Sequence, residues 1–218
     1  MKAALVWATP DADKLVAYMA RVSNPAAQDK DDAGRLIGYL IRHKHWSPFE
    51  MASLCIEIET TRDVGRQLLR HRSFAFQEFS QRYAATDALP PAPLREARMQ
   101  DPKNRQASVA CLDPVLANQW RWRQEKAVEH AADTYEWALS RGIAKEVARA
   151  VLPEGLTTSR MYMAGTLRSW MHFCALRMGP ETQLETREVA AACWAIVREV
   201  CPVTAAHQRD QLARAEKV

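Results

Sequence analysis

The sequence predicts an α+β fold: a strand-bearing first part followed by a mostly helical remainder. Two patterns carry this expectation. Leu54, Ile56 and Ile58 alternate with Cys55, Glu57 and Glu59, the period of two that marks a half-buried strand. From Asp113 onward, apolar residues recur instead at helical spacing. With no internal repeat or low-complexity tract, 218 residues suit one domain spanning 1–218 and are enough to bury a core.

Met1 to Trp7 forms a short apolar run that reads as an opening strand; it is too short for a signal peptide. Leu15 to His43 has helical spacing, broken by the polar stretch Ser23 to Asp32. His45-Trp46-Ser47-Pro48-Phe49-Glu50 reads as a loop, because proline disfavours helix at the residue before it. After the alternating strand, Thr60 or Thr61 can cap a helix with Asp63 in its first turn, carrying Val64, Gln67, Leu68 and His71. Asp87 to Lys103 holds four prolines and reads as a loop excursion. A long helix is predicted through Trp120 to Leu139, ending near Gly142. Further helices are expected over Ala144–Val151, Met161–Leu176 and Glu185–Val200.

Composition excludes some classes. Hydrophobic residues at 48% and charged residues at 26% exclude a wholly disordered chain. No apolar run approaches the roughly 20 residues of a membrane span, so no membrane partner and a cytoplasmic location are expected. The five cysteines, odd in number and without CxxC spacing, argue against disulfides and a zinc site; most read as small buried apolar residues. His43 and His45 have no carboxylate or thiol partner at ligand spacing, so no metal is expected. The 30 basic residues divide into 22 Arg and 8 Lys. Arginine grips phosphate and carboxylate bidentately, but biased codon usage would give the same excess.

The densest polar cluster runs from Gln67 to Tyr83 and is strongly cationic around its aromatics. By chemistry alone it suits a small anionic ligand, a nucleic-acid backbone or a structural ion-pair network. His71, between two arginines, could also simply cap a helix end.

Arg70-His71-Arg72, seven residues and then Ser80 match an R-H-R-x7-S signature, flanked by Glu78, Arg82 and Tyr83. His45 to Glu50 precedes it. Glu146-Val147-Ala148-Arg149 with Leu152-Pro153 follows, then Leu167-Arg168-Ser169 with Phe173 and Leu176-Arg177, then Gln183 and Glu185. In order and spacing these blocks resemble the flavin-dependent thymidylate synthases. Ala75, Gln77, Gln81, Thr166 and His172 depart from that family's commonest pattern.

The resemblance implies a small antiparallel sheet packed against several helices, and an enzyme that methylates dUMP to dTMP. It implies FAD as cofactor, NADPH and methylenetetrahydrofolate as co-substrates, and a homotetramer without nucleic-acid partners. By residue-to-residue match, Ser47, Arg70, His71, Arg72, Glu78, Thr166, Arg168 and His172 would contact FAD. Gln67, Arg70, Glu78, Phe79, Ser80, Gln81, Arg82, Arg149 and Arg177 would surround dUMP. His45 would help place the nicotinamide or folate, and Arg177 would polarise the uracil ring as the catalytic group. Cys174, three residues before Arg177 on the expected helix, reads as packing rather than as a nucleophile. Trp120 and Trp122 read as core or interface residues, with Arg121 and Arg123 facing solvent or a neighbouring subunit.

Overall fold

The computed structural model describes residues 1–30 and 32–215. A four-stranded antiparallel sheet has the order β1-β2-β6-β3, formed by Lys2–Ala8, Ser53–Thr61, Thr158–Thr166 and Ala75–Glu78. The two longest strands, β2 and β6, pair in continuous register from Ser53↔Thr166 to Thr61↔Thr158. Alternation sends Leu54, Ile56 and Ile58 of β2 and Met161 and Met163 of β6 into the core. Glu57, Glu59, Arg160 and Tyr162 occupy the other face, where Arg160 pairs with Glu59 at 3.0 Å. The opening strand is where the sequence places it, with a bulge between Leu5 and Trp7.

Eight α-helices complete the architecture among the described residues. The Leu15–His43 region divides into α1 (Ala12–Ala20) and α2 (Ala33–Arg42), separated by its polar break. The helix after β2, α3, covers Arg62–Leu68 and stops short of His71. Thr61 does occupy its cap position, but its hydroxyl bonds the Asp63 carboxylate rather than a helix N–H. The long helix α4 spans Pro114–Ser140 and starts where Asp113 accepts hydrogen bonds from the backbone of Val115 and Leu116. It ends before Gly142, whose φ of 79° is natural only to glycine. After α5 (Lys145–Ala148), a 3-10 turn over Arg149–Val151 completes the helical stretch expected there.

Two expectations are corrected. The predicted helix Met161–Leu176 is half strand: β6 runs to Thr166, and α6 occupies Leu167–Arg177. Met161 and Met163 are fully buried while Tyr162 is exposed, the period of two of a half-buried strand. The proline-rich excursion is not loop throughout. Arg98–Gln100 (β4) pairs with Ser108–Ala110 (β5) as a separate two-stranded ribbon.

The core lies between the sheet and α1, α2, α6, α7 (Leu184–Val200) and α8 (Pro202–Ala215), with Trp170, Phe49 and Phe173 its largest fully buried members. Asp13 of α1 caps the start of α8 through the backbone N–H groups of Val203 and Thr204 and the Thr204 hydroxyl. Cys174, Cys193 and Cys201 are buried, and burial pushes the Cys193 and Cys201 thiols up to about 12. Trp120 and Trp122 are surface residues, not core; Arg123 lies 5.9 Å over the Trp122 ring. Among the described residues no helix is long and apolar enough to cross a membrane, and no group of three His, Cys, Asp or Glu side chains is placed to hold a metal ion.

Candidate active site

Helix α3 follows β2 without a break, and the Arg62 N–H bonds the Thr157 carbonyl at the start of β6. This corner fixes Gln67. Its amide donates to Gln183 at 2.7 Å and accepts from the Thr186 hydroxyl at 2.9 Å. Gln183 in turn donates to Glu185, which Arg98 (2.6 Å) and Arg95 (3.3 Å) also approach. Burial raises the Glu185 carboxyl, but hydrogen bonding and these arginines outweigh it and hold the group below the usual range. Arg95 reaches Asp63 of α3 at 2.9 Å as well. Neither Arg95 nor Arg98 was among the expected site residues. The only sequence signal for them was the arginine excess inside a stretch read as loop.

The chain then turns through residues 69–74 and carries the R-H-R signature. Phe74 anchors the turn edge-on against Trp170 (4.8 Å), and His71 lies edge-on to Phe173 (5.0 Å). Gly165 makes this possible: a Cβ there would sit 2.5 Å from Phe74 Cδ1. His71 Nε2 accepts a hydrogen bond from Arg177 Nε at 2.8 Å, so its proton is assigned to Nδ1. Burial first, then the Arg177 charge and then His172, lower its pKa to about 4 and keep the ring neutral. Arg70 and Arg72, on either side, are exposed and make no ion pair among the described residues.

β3 turns Phe76 and Glu78 inward and Ala75 and Gln77 outward. Glu78 accepts from Ser159 at 2.7 Å and lies 3.7 Å from Arg62. The Phe79 N–H bonds the Arg160 carbonyl, after which Ser80 to Tyr83 form a turn. Gln81 is buried, and its Nε2 has no partner among the described residues. Arg82 lies 3.6 Å from Glu146 of α5, and Lys145 bonds the Tyr83 carbonyl. These contacts bring the Arg82 turn against the helix that leads to Arg149.

At the opposite end of the turn, Thr166 caps α6 through the Ser169 N–H and donates its hydroxyl to Glu50 at 2.6 Å. Glu50 also lies 3.4 Å from Arg168, joining the Ser47–Glu50 3-10 turn to α6. Arg168 and His172, four residues apart, share one exposed helix face. Ser47 is exposed on its turn, and His45 is exposed beside His43, 6.1 Å away between ring centroids.

Among the expected residues, contacts join Gln67 to Gln183 and His71 to Arg177, set Arg82 beside Glu146, and gather Thr166 and Arg168 on Glu50. Arg70, Arg72, Arg82, Arg168 and His172 are all exposed within one chain. Sequence reasoning missed Glu50 and Ser159 as partners of Thr166 and Glu78.

An R-H-R turn with exposed arginines, carried beside a four-stranded antiparallel sheet, defines a class. The sequence model of the thymidylate synthase complementing protein family matches residues 4–203, and the chain belongs to this family of flavin-dependent thymidylate synthases. Among its relatives, the probable flavin-dependent thymidylate synthase of Paramecium bursaria Chlorella virus 1 is 47% identical over 183 residues, 84% of this chain and 83% of that one. The flavin-dependent thymidylate synthase of Synechocystis sp. is 44% identical over 192 residues, covering 88% and 87%. In three dimensions the chain resembles the UMP/dUMP methylase PolB from Streptomyces cacaoi bound with 5-Br UMP. The TM-score is 0.83 at 29% identity, over 94% of this chain and 92% of PolB.

Proposed function

We propose that this protein converts dUMP to dTMP, with methylenetetrahydrofolate as carbon donor and NADPH as reductant by way of bound FAD. Besides family membership, the observation that carries this reading is the His71–Arg177 contact. His71 takes up the Arg177 Nε–H, which leaves the two terminal nitrogens of the guanidinium for a ligand. A guanidinium so oriented is suited to the uracil imide, where it stabilises negative charge and makes carbon five nucleophilic. Cys174, on the same helix as Arg177, is buried and its pKa is raised well above the ordinary value, which argues against a thiolate in that role.

The remaining roles follow from what each side chain has free. Arg82 and Arg149 grip the nucleotide phosphate, with the Ser80 hydroxyl as a neutral donor. Gln67, Arg70, Glu78, Phe79 and Gln81 complete the dUMP surroundings. The unpaired Arg70 and Arg72 fit the FAD pyrophosphate; Ser47, His71, Glu78, Arg168 and His172 line its path. Thr166 supports that path through Glu50 rather than through a free hydroxyl. His45 helps place nicotinamide or folate. FAD held along this path would supply the redox chemistry that links NADPH oxidation to completion of the methyl group.

The exposure of Arg70, Arg72, Arg82 and Arg168 within one chain supports a homotetramer in which neighbouring copies complete the site; light scattering on the purified protein tests it. A cytoplasmic location fits five free cysteines, four of them buried. The central test is loss of tritium from carbon five of labelled dUMP, run with a visible spectrum and with UMP alongside. A yellow protein that releases tritium from dUMP is expected. A protein that gains no flavin absorbance on adding FAD and releases no tritium refutes the reading. Arg177→Ala should lower kcat about 100-fold, while Arg82→Ala should mainly raise KM. Near-normal turnover in Arg177→Ala alongside an inactive Arg82→Ala would displace Arg177 from its role.

A further inference from the structure

Gln67 stands at one end of an unbroken line of hydrogen-bonded side chains. Its amide N–H donates to Gln183 Oε1 at 2.7 Å, the Gln183 N–H donates to Glu185 Oε2 at 2.8 Å, and Arg98 donates to Glu185 Oε1 at 2.6 Å. Gln67 lies in the last turn of α3, whereas Gln183 and Glu185 stand at the start of α7, so the line crosses between two helices.

The direction of this line is set at the Glu185 end. Glu185 is 7% exposed, and Arg95 lies 3.3 Å from the same oxygen that Arg98 holds. Arg95 is fixed in turn by the Thr61 hydroxyl at 2.6 Å and by Asp63 at 2.9 Å. Burial works against ionisation of Glu185, but the Gln183 hydrogen bond and the two guanidiniums outweigh it. An ionised carboxylate only accepts hydrogen bonds. Gln183 must therefore turn its NH2 toward Glu185 and its carbonyl toward Gln67, and Gln67 must turn its own NH2 toward Gln183. The Gln67 carbonyl then accepts from the hydroxyl of the fully buried Thr186 at 2.9 Å. An isolated amide can be turned end for end without changing shape; the charge on Glu185 permits one orientation only. These bonds leave Gln67 one N–H and one carbonyl lone pair for a ligand.

We propose that Glu185 is a positioning residue for the nucleotide: acting through Gln183, it fixes which end of the Gln67 amide donates and which accepts, and so presents dUMP with one donor and one acceptor in a set order. The effect on dUMP, but not the direction of the line, rests on the placement of Gln67 in the dUMP site.

The direction is tested without a nucleotide by reversing it. Gln67→Glu leaves Gln183 between two acceptors, and Glu185→Gln alone leaves Arg95 and Arg98 without their anion. With both substitutions the Gln183 amide can turn over, donating to the new carboxylate and accepting from the new amide. The thermal midpoint of the double variant should therefore fall at least ~3 °C less than the sum of the two single losses. The same cycle in a Gln183→Met background should be additive within about 1 °C. Additive losses in the parent, or coupling that persists without Gln183, would overturn the relay in favour of separate ion pairs or plain charge repulsion.

Calorimetry on the FAD-loaded full chain then reads the nucleotide. Glu185→Gln should weaken dUMP binding at least about fivefold in the parent and less than about twofold in a Gln67→Met background. Gln183→Met, which keeps both arginine pairs, should weaken dUMP by a similar factor and carries the test if Glu185→Gln does not fold. Equal weakening in both backgrounds, or none in the parent, would overturn the positioning role. A protein with coupled midpoints that never binds dUMP would refute the enzyme reading and leave the direction of the relay standing.

Discussion

Lowering the pH from 7.5 to 5 puts a measurable load on the His71–Arg177 contact. In the unfolded chain the ring titrates near 6.5, whereas burial and the Arg177 charge hold it at about 4 in the folded protein. Between those values the unfolded chain binds a proton that the folded chain refuses. The associated stability is complete above pH 6.5 and is lost as the pH falls toward 4. At pH 5, about 1.5 units below the unfolded value, the full shift corresponds to roughly 2 kcal/mol. The ring is partly open to solvent, and screening reduces this to about 1 kcal/mol. His71→Gln keeps an acceptor for Arg177 Nε but has no proton to take up. Urea unfolding of both proteins, at equal concentration and at pH 7.5 and 5, isolates the effect because the other titrating groups are common to both. The parent should lose about 1 kcal/mol more than His71→Gln. Equal losses, or a larger loss in the variant, would show that the folded ring accepts its proton freely and that the neutral acceptor role is wrong.

Other perturbations probe the frame. Gly165→Ala should destabilise the fold by about 1–3 kcal/mol in urea unfolding, because the new methyl meets the buried Phe74 ring and the core has no slack. Asp13→Ala should lower stability by about 1–2 kcal/mol by uncapping α8, an effect Asp13→Asn should partly restore. Arg95→Met should reduce stability by about 3 kcal/mol, since Asp63 and Glu185 would lose a shared cation in a half-buried setting.

Sequence legibility followed the physics of each element. β2 was readable because β-branched and leucine side chains alternate with glutamates over its length. Its partner β6 was not: its second half holds Met, Ala and Gly, without the β-branched apolar residues that mark β2, and a true helix follows immediately, so the helical period spilled backward across Thr166. The β4–β5 ribbon was hidden because its two strands are three residues each and stand among prolines and charges. In the site, the R-H-R turn could be found as a motif, but not the reason it holds its shape. That reason is the packing of Phe74 on Trp170 and Phe173 of α6, roughly a hundred residues further along the chain and brought to it only by folding. The resemblance singles out Gln67, whereas its contacts with Gln183 and Thr186 span more than a hundred residues and no local pattern encodes them.

β6 sits between β2 and β3, although both of those strands precede it in the chain. A growing polypeptide therefore carries two strand edges with a gap between them until residue 166 has emerged, with α4 formed in the interval. Strand closure across such a span is entropically slow, and open edges invite pairing with other chains. Synthesis of this protein thus passes through a vulnerable interval that ends only when the last strand slots into the middle of the sheet.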